Sequence, residues 1–304
     1  MILLGHSPRV IPGLTFLRYI WCMEVQRCRN CRNCTIDRVS LMVLTSVRAN
    51  KSKSVTKPVH TVKKVQSHLR TSLPQQEICP VCKMAYVPYL AQDIKLHDAY
   101  HQKVQLGRPW TESWGNVLDV STLAIPQKIQ RNSTLIPCKY VEVNIDNKVE
   151  VNAAQQVIGI ANKCLNAPPE CNYWMSDKSR GKVFLCIAEN RAIGVVVTES
   201  LNDPKVKPHW FIVEKGRVVE NQTVKDVLVG ISRIYVSPEW RRSGIALQLL
   251  KVVCHFSFFG ITLKPLQIAW SQPSEYGGKL ASKFSGVKHK SGKILIPVYN
   301  EHSP

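Results

Sequence analysis

Four metal-binding side chains in one short segment constrain the fold of this chain more than any other feature. Cys79 and Cys82 are separated by two residues, and after a further 14 residues His97 and His101 are separated by three. Two thiolates on a tight knuckle and two imidazoles at positions i and i+4 of a helix can surround a zinc ion tetrahedrally. Because protein ligands then fill every position, the pattern predicts a structural zinc.

The residues between the two ligand pairs fit a small ββα zinc finger over residues 77–105. Met84 and Tyr86 supply apolar filling, and so thin a core needs the metal in order to fold. Fingers that read bases usually occur in arrays, with polar side chains at the helix start. This finger is single and its helix carries Asp93 and Asp98, so we expect a structural or protein-docking role.

Residues 1–76 are strongly basic, with 13 Lys and Arg against Glu24 and Asp37. They lack a sustained helical or strand period, which predicts a disordered tail. The whole chain carries a formal charge of +20. That excess predicts attraction to polyanions, including non-specific DNA contact through the tail.

The cysteines indicate the redox environment of the protein, and the apolar segments show whether it could span a membrane. The chain has 11 cysteines, an odd number spread along its length, which favours a reducing environment over a disulfide framework. A second cluster has metal-like spacing, but its flanking residues show no core pattern, so we interpret it as reduced thiols: Cys22, Cys28, Cys31 and Cys34. We expect no membrane span, because the richest apolar segment is interrupted by Gln248, Lys251 and His255.

Residues 106–304 show a mixed α/β rhythm. Apolar spacings of three and four predict a helix over residues 151–166. The segments KVFLCIAE and RAIGVVVTE predict a hairpin, and a polar excursion from Leu201 to Gln222 leads to the strand VLVGISRIYVS. A helix from near Gly244, a strand LQIAWS, a short helix KLASKF and a closing strand KILIPVY complete the prediction.

The connection PEWRRSGIA, residues 238–246, joins that strand to the next helix. Gly244 lets the backbone approach a ligand, and the free N–H groups of the first helical turn favour an anion. Arg241 and Arg242 add positive charge. A basic loop of this kind can be merely solvated, but the order of strands and helices around it favours a pyrophosphate cradle. R-R-x-G-x-A here resembles the acetyl-CoA signature of the GCN5-related N-acetyltransferases.

The finger pattern C-x2-C-x-M-x-Y is followed by the segments GISRIYV, RRSGIA and AWSQPSEYGGKLASKF. On these motifs the chain resembles the sister-chromatid cohesion N-acetyltransferases over residues 77–300. The resemblance implies an α/β (α+β) fold, a GCN5-related N-acetyltransferase mixed sheet with splayed central strands behind the finger. It implies acetyl transfer from acetyl-CoA to lysines on the ATPase head of the cohesin SMC subunit, in the nucleus on chromatin. Chromatin or the replication machinery are the further partners expected.

The resemblance also implies residue roles. The backbone of Ile234, Tyr235 and Val236 would meet the pantetheine arm, and the loop of Ser271 with Gln272 would face the substrate lysine. The remaining cofactor contacts are Arg241, Arg242, Ser243, Gly244, Ile245, Ala246, Leu247, Gln272, Pro273 and Ser274.

The catalytic base stays open at this point. Vertebrate members of the family carry Asp at the position of Gln272 and Glu at that of Lys251, and some members have a tyrosine at that of Phe284. Since Gln272 cannot accept a proton, either the base is another group, such as Glu275 or a water held by Ser271 and Gln272, or catalysis relies mainly on proximity and desolvation. Two other classes remain: a catalytically weakened zinc-finger chromatin adaptor that still binds acetyl-CoA, and a nucleic-acid-binding finger protein.

Overall fold

We describe a computed structural model of the chain for residues 75–124, 135–168, 173–177, 179–203 and 206–301. These residues belong to one compact unit, residues 68–303. The predicted tail, apart from its last two residues, and the cysteine cluster at residues 22–34 lie outside the described residues.

The predicted finger forms a ββα unit. Its strands β1 (Glu77–Ile78) and β2 (Ala85–Tyr86) pair antiparallel, and α1 (Ala91–Leu106) follows. Lys83 takes a left-handed conformation with φ of 58° and its N–H donates to the carbonyl of Cys79, so the knuckle turns tightly between the strands.

A large sheet follows the finger. Its first half consists of β3 (Arg108–Pro109), β4 (Asn116–Ala124), β5 (Leu135–Glu142), α2 (Lys148–Leu165), β6 (Gly181–Ala188) and β7 (Arg191–Ser200). Its second half consists of β8 (His209–Ile212), β9 (Arg217–Thr223), β10 (Val229–Val236), α3 (Ile245–Phe256), β11 (Ile268–Ser271), α4 (Glu275–Ser285), β12 (Val287–Lys288) and β13 (Ile294–Tyr299).

The described strands of this sheet run in the order β4-β5-β6-β7-β10-β11-β13-β8-β9, with β12 beside β13 and β3 beside β7. The β10–β11 and β11–β13 pairs are parallel, and the other pairs are antiparallel. The sheet is therefore mixed, and parallel pairing is confined to its centre.

Helices cover both faces of the sheet. Successive side chains of a strand point to opposite faces, and on β6 Phe184 packs in the same core as the α3 residues Leu249 and Leu250. Leu185 packs instead with α2 and with the finger. The finger and α2 thus share one face, while α3 and α4 lie on the other. Among the described residues, no helix combines the length and the apolar character needed to cross a bilayer.

The predicted elements are confirmed for most of the sheet. The hairpin β6–β7 turns through Glu189 and Asn190, both with positive φ, and α2 begins at Lys148, where Asn147 caps it. The polar excursion 201–222 contains two strands that the sequence pattern did not predict, since β8 and β9 form a hairpin there. Strands β4 and β5 were not predicted from the sequence.

Candidate active site and zinc site

The four predicted metal ligands come together in the finger. One ligand atom from each of Cys79, Cys82, His97 and His101 lies within 4.8 Å of all the others, as tetrahedral zinc coordination requires. The Cys79 Sγ lies 3.3 Å from His101 Nδ1. His97 Nε2 is buried without a hydrogen-bond partner among the described residues, which is the condition expected of a metal-ligating nitrogen.

Neighbouring groups orient these ligands. His97 stacks on Tyr86 with ring centroids 4.1 Å apart, and its Nδ1 lies 3.4 Å from a carboxylate oxygen of Asp98. A carboxylate on the second ring nitrogen fixes the orientation of a metal-binding histidine. Burial raises the pKa of Cys79, but hydrogen bonds, first from the Cys82 backbone and then from His97, outweigh it and lower the pKa to about 6. The donor set therefore fits a structural zinc ion.

The finger packs directly against the sheet domain. Tyr235 of β10 donates its hydroxyl to the carbonyl of Val104 at 3.4 Å, and the Trp240 indole donates to that of Leu106 at 3.2 Å. Both acceptors are carbonyls in the last turn of α1, where a helix leaves such groups without internal partners. The ammonium of Lys163 on α2 lies 5.1 Å from the centre of the Tyr100 ring.

The central strands β10 and β11 separate part-way along their length. They pair in register only from Val229 to Ile231, opposite Ile268 to Trp270. Beyond that point β10 continues along β7 as far as Val236, whereas β11 continues along β13. The shift in β10–β7 register between Ile231 and Arg233 lies at this point of separation. The predicted splay is thus present, and Ile234, Tyr235 and Val236 line its β10 side.

The connection PEWRRSGIA leads from the splay into α3. Gly244 is the N-cap residue with φ of 86°, and no side chain of the described residues caps the helix, so the N–H groups of Ile245, Ala246 and Leu247 lack side-chain acceptors there. A Cβ on Gly244 would meet no described atom within 4 Å, so the backbone is open to a ligand. Arg242 also has a positive φ of 72°.

Two other residues of this connection donate side-chain hydrogen bonds to nearby backbone carbonyls. Ser243 donates its hydroxyl to the Trp240 carbonyl at 2.5 Å, and Arg241 Nε donates to the Val236 carbonyl at 2.9 Å. The Arg241 guanidinium also lies 5.6 Å from the centre of the Tyr235 ring. Arg241 therefore braces the loop, while Arg242 is the arginine left to meet an anion.

The loop after β11 lies across the splay from this connection. Ser271 ends β11, Gln272 is exposed, and Ser274 caps α4 by accepting a hydrogen bond from the Gly277 N–H at 3.2 Å. Pro273 lies between them. The structure thus brings the Ser271–Ser274 loop and the RRSGIA connection to the same ends of the two diverging strands.

The short helix predicted over KLASKF, residues 279–284, begins four residues earlier in the structure, because α4 starts at Glu275. The Ser274 cap starts the helix earlier than the apolar spacing of KLASKF suggested. The Glu275 side chain is 78% exposed and pairs with Lys279 at 2.7 Å. The Lys279 hydrogen bond and charge hold the pKa of Glu275 below its usual range, and Glu275 in turn raises the pKa of Lys279.

Sequence reasoning missed an ion pair at the splay, between Arg233 of β10 and Glu301 beyond β13. Ser271 also donates its hydroxyl to Glu301. An arginine inside the apolar strand GISRIYV was a signal that a buried partner was needed. No local spacing could identify a partner 68 residues away.

Comparisons with known proteins agree with this geometry. The zinc-finger of acetyl-transferase ESCO matches residues 66–103, and the ESCO1/2 acetyl-transferase family matches residues 225–295. N-acetyltransferase ECO1 of Debaryomyces hansenii is 35% identical over 263 residues, which cover 81% of this chain and 91% of that protein. The chain belongs to the ECO1 family of N-acetyltransferases. N-acetyltransferase ECO1 of Saccharomyces cerevisiae is 34% identical over 73% of this chain and 88% of its own length.

Membership of the ECO1 family confirms the resemblance inferred from the sequence, and it makes this protein an N-acetyltransferase with a zinc finger. The solved xEco2 acetyltransferase domain aligns with this chain at 21% identity and a TM-score of 0.44. The alignment covers 55% of this chain and 92% of that domain. The same domain bound to a CoA conjugate gives a TM-score of 0.42 at 21% identity. The mixed α/β sheet behind a ββα unit is confirmed, while the boundaries at residues 76 and 105 and the individual cofactor contacts stay predictions.

Proposed function

We propose that this protein transfers the acetyl group of acetyl-CoA to lysine side chains on the ATPase head of the cohesin SMC subunit. The reaction would establish cohesion between replicated sister chromatids, as the resemblance to the cohesion acetyltransferases implies. The protein would work in the nucleus on chromatin, with the replication machinery as a further partner. Non-specific DNA contact would come through residues 1–76.

One observation carries the proposal: the splay of β10 and β11 opens toward the uncapped start of α3. The pantetheine arm of an extended cofactor can hydrogen-bond to backbone groups on the free edge of β10. Its pyrophosphate then meets the N–H groups and the positive dipole end at the start of α3. The backbone of Ile234, Tyr235 and Val236 would contact the pantetheine arm. The pyrophosphate would lie against the connection from Arg241 to Leu247.

The loop from Ser271 to Ser274 would flank the thioester and the incoming lysine. A lysine amine has a pKa of about 10.4, so deprotonating it near neutral pH costs roughly 4 kcal/mol at about 1.36 kcal/mol per unit. A site can reduce this cost by desolvating the ammonium and supplying a base. The splay would then hold the amine beside the thioester, so that a bimolecular reaction becomes effectively unimolecular.

The zinc ion would have a structural and not a catalytic role. When bound, it closes the finger around four protein ligands and leaves no position for a reacting water. The finger helix then presents its last carbonyls to Tyr235 of β10 and to Trp240 of the PEWRRSGIA connection. We therefore assign the zinc a supporting role in holding β10 and the RRSGIA connection in place.

The direct test is transfer of radiolabelled acetyl from acetyl-CoA to a purified cohesin SMC head fragment. The expected result is label on head lysines, and no label above the enzyme-free control would contradict the proposed reaction. Gln272, which cannot accept a proton, favours a second candidate, the weakened adaptor. That candidate predicts acetyl-CoA binding by calorimetry together with no transfer.

Binding to nucleic acid is tested separately by filter binding with a salt titration. Phosphate contacts give an affinity that falls steeply as salt rises. A nucleic-acid-binding protein with an incidental α/β domain would show that slope but neither acetyl-CoA binding nor transfer.

A further inference from the structure

Arg233 is a buried cation at the point where β10 leaves β11. Its side chain is 4% exposed. Nε donates to Asn162 of α2 at 2.8 Å, one terminal nitrogen to the Ser232 carbonyl at 2.7 Å, and the other to the Pro168 carbonyl at 3.0 Å. These bonds fix the guanidinium, so whatever it pairs with is held at the splay.

Its ionic partner is Glu301, two residues beyond the end of β13. One carboxylate oxygen of Glu301 accepts hydrogen bonds from both Arg233 and the Ser271 hydroxyl. The carboxylate is therefore joined to both diverging strands, to β10 through Arg233 and to β11 through Ser271. Its side chain remains 25% exposed, so a second molecule can reach it.

The carboxylate lies on the face of the sheet opposite the α3 and α4 helices. Trp270 bonds to Ser285 of α4, and because side chains alternate along a strand, Ser271 points to the other face. Arg233 reaches Asn162 of α2 on that same face. A cofactor held at the start of α3 and passing through the splay would expose its thioester to an acceptor arriving from the α2 side.

We propose that Glu301 is the base that removes a proton from the acceptor lysine. This inference rests on the proposed function. The lysine ammonium gives a proton to the Glu301 carboxylate, which becomes a neutral acid. The neutral amine attacks the thioester carbon, the carbon–sulfur bond breaks, and the thiolate takes the remaining extra proton from the new amide nitrogen. Glu301 then returns its proton to water.

The other candidates for this step are placed less well. Gln272 has no proton-accepting group. Glu275 is held by Lys279 in the first turn of α4, on the helix that covers the opposite face. Glu301 combines a carboxylate, a fixed orientation and an open approach. Arg233 from β10 and Ser271 from β11 are the charged group and the hydroxyl in contact with it.

The test compares Glu301→Gln with the parent enzyme on a lysine-containing cohesin head fragment. Glutamine keeps an acceptor oxygen for Arg233 and Ser271 but removes the counter-charge of Arg233, so the fold and acetyl-CoA affinity should be retained at a lower melting temperature, as calorimetry and thermal melting would verify. We expect kcat/KM at pH 7 to fall about 100-fold, within the range for losing a positioned base. Glu220→Gln, an exposed carboxylate change on β9, should leave the rate unchanged.

The pH profile separates a base from a structural brace. With Glu301 lost, only neutral amine reacts, so kcat/KM should rise about tenfold per pH unit from pH 7 to 9, while the parent levels off. Glu301→Asp, which keeps the charge, should keep the parent's profile at a lower rate. An unchanged rate in Glu301→Gln, or a lower rate with the parent's pH profile, would overturn the assignment. A parent enzyme that transfers no acetyl would overturn the proposed function and the inference together.

Discussion

The indole N–H of Trp240 donates a hydrogen bond to the carbonyl of Leu106 at 3.2 Å. Leu106 is the last residue of the finger helix, and Trp240 belongs to the connection that leads from β10 into α3. Trp240 and Val104 are both buried. The zinc-dependent part of the chain therefore ends on the same connection that would bind the cofactor pyrophosphate, which couples the metal to the candidate active site.

Loss of one zinc ligand should release the metal and unfold the finger. In Cys82→Ser we expect loss of about one zinc per chain and of the helical signal of α1, because the finger core is too small to fold alone. The sheet should stay folded but melt at a lower temperature, since α1 no longer covers Tyr235 and Trp240. Metal analysis and thermal melting check this. Cys164→Ser, a change of a free cysteine outside the cluster, should keep its zinc.

The Trp240 contact should be worth more when zinc is present. Trp240→Phe removes the donor to Leu106 and leaves a partly buried carbonyl without that partner, which costs about 1 kcal/mol. After chelation the finger is unfolded in both proteins, so the difference should shrink. Urea unfolding with and without chelator measures it. Trp270→Phe loses a comparable bond to Ser285, and its cost should not depend on zinc. Equal costs of Trp240→Phe in both conditions would argue against coupling.

Gly244 is the position where a side chain should block the cofactor. In Gly244→Glu we expect the dissociation constant for acetyl-CoA to rise at least tenfold, or about 1.4 kcal/mol, because a carboxylate would face the pyrophosphate. Gly292 offers a matched control, since it also has a positive φ, of 81°, and open space for a Cβ. Gly292→Glu carries the same backbone strain and should leave binding unchanged. Tight binding by folded Gly244→Glu would exclude the cradle.

Glu275 and Gln272 can be separated by rate measurements between pH 6 and 9. Lys279 engages the Glu275 carboxylate and holds its pKa below its usual range, which makes Glu275 a weak base. We therefore expect Glu275→Gln to change kcat less than the 10² to 10⁴-fold typical of losing a base. Gln272→Asp adds a carboxylate beside Ser271. It should raise activity at neutral pH if no side chain acts as the base, and it should change activity little if Glu301 is the base. A fall of about 10²-fold or more in Glu275→Gln would restore it as the base.

Glu150 should make stability depend on pH. Its carboxylate is buried and accepts from the Asn144 N–H at 2.7 Å, and burial raises its pKa against the lowering effect of its backbone hydrogen bonds. Because the pKa of Glu150 is higher in the folded than in the unfolded state, its contribution to stability is complete below the unfolded pKa of about 4.3. That contribution is lost as the pH rises through the folded-state pKa. Glu150→Gln should therefore gain stability relative to the parent from pH 4.5 to 7.

Urea unfolding at both pH values measures this gain. The exposed change Glu112→Gln should show none, and a Glu150→Gln difference that is the same at both pH values would contradict the linkage.

Local spacing explains what could be predicted. The ligand pairs of the finger, the Gly244 helix start and the apolar runs of β6, β7 and β10 are each visible within a short stretch of sequence. Strands β4 and β5 were missed because β4 is largely exposed, with apolar residues on its outer side, and a register shift between Val117 and Asp119 interrupts its alternation. The β8–β9 hairpin was missed for a similar reason, since β9 is almost entirely exposed and the pairing is irregular between His209 and Phe211.

The sequence by itself determined the zinc ligand set, the family and the order of elements around RRSGIA, because these depend on short-range pattern. Only the tertiary structure decided where the carboxylates lie. Glu275 looked suitable three residues from Gln272, yet the Ser274 cap places it on α4, paired with Lys279. Glu301 meets Arg233 and Ser271 only because β10, β11 and β13 are brought together in the sheet, and pairing between distant strands leaves no trace in local sequence.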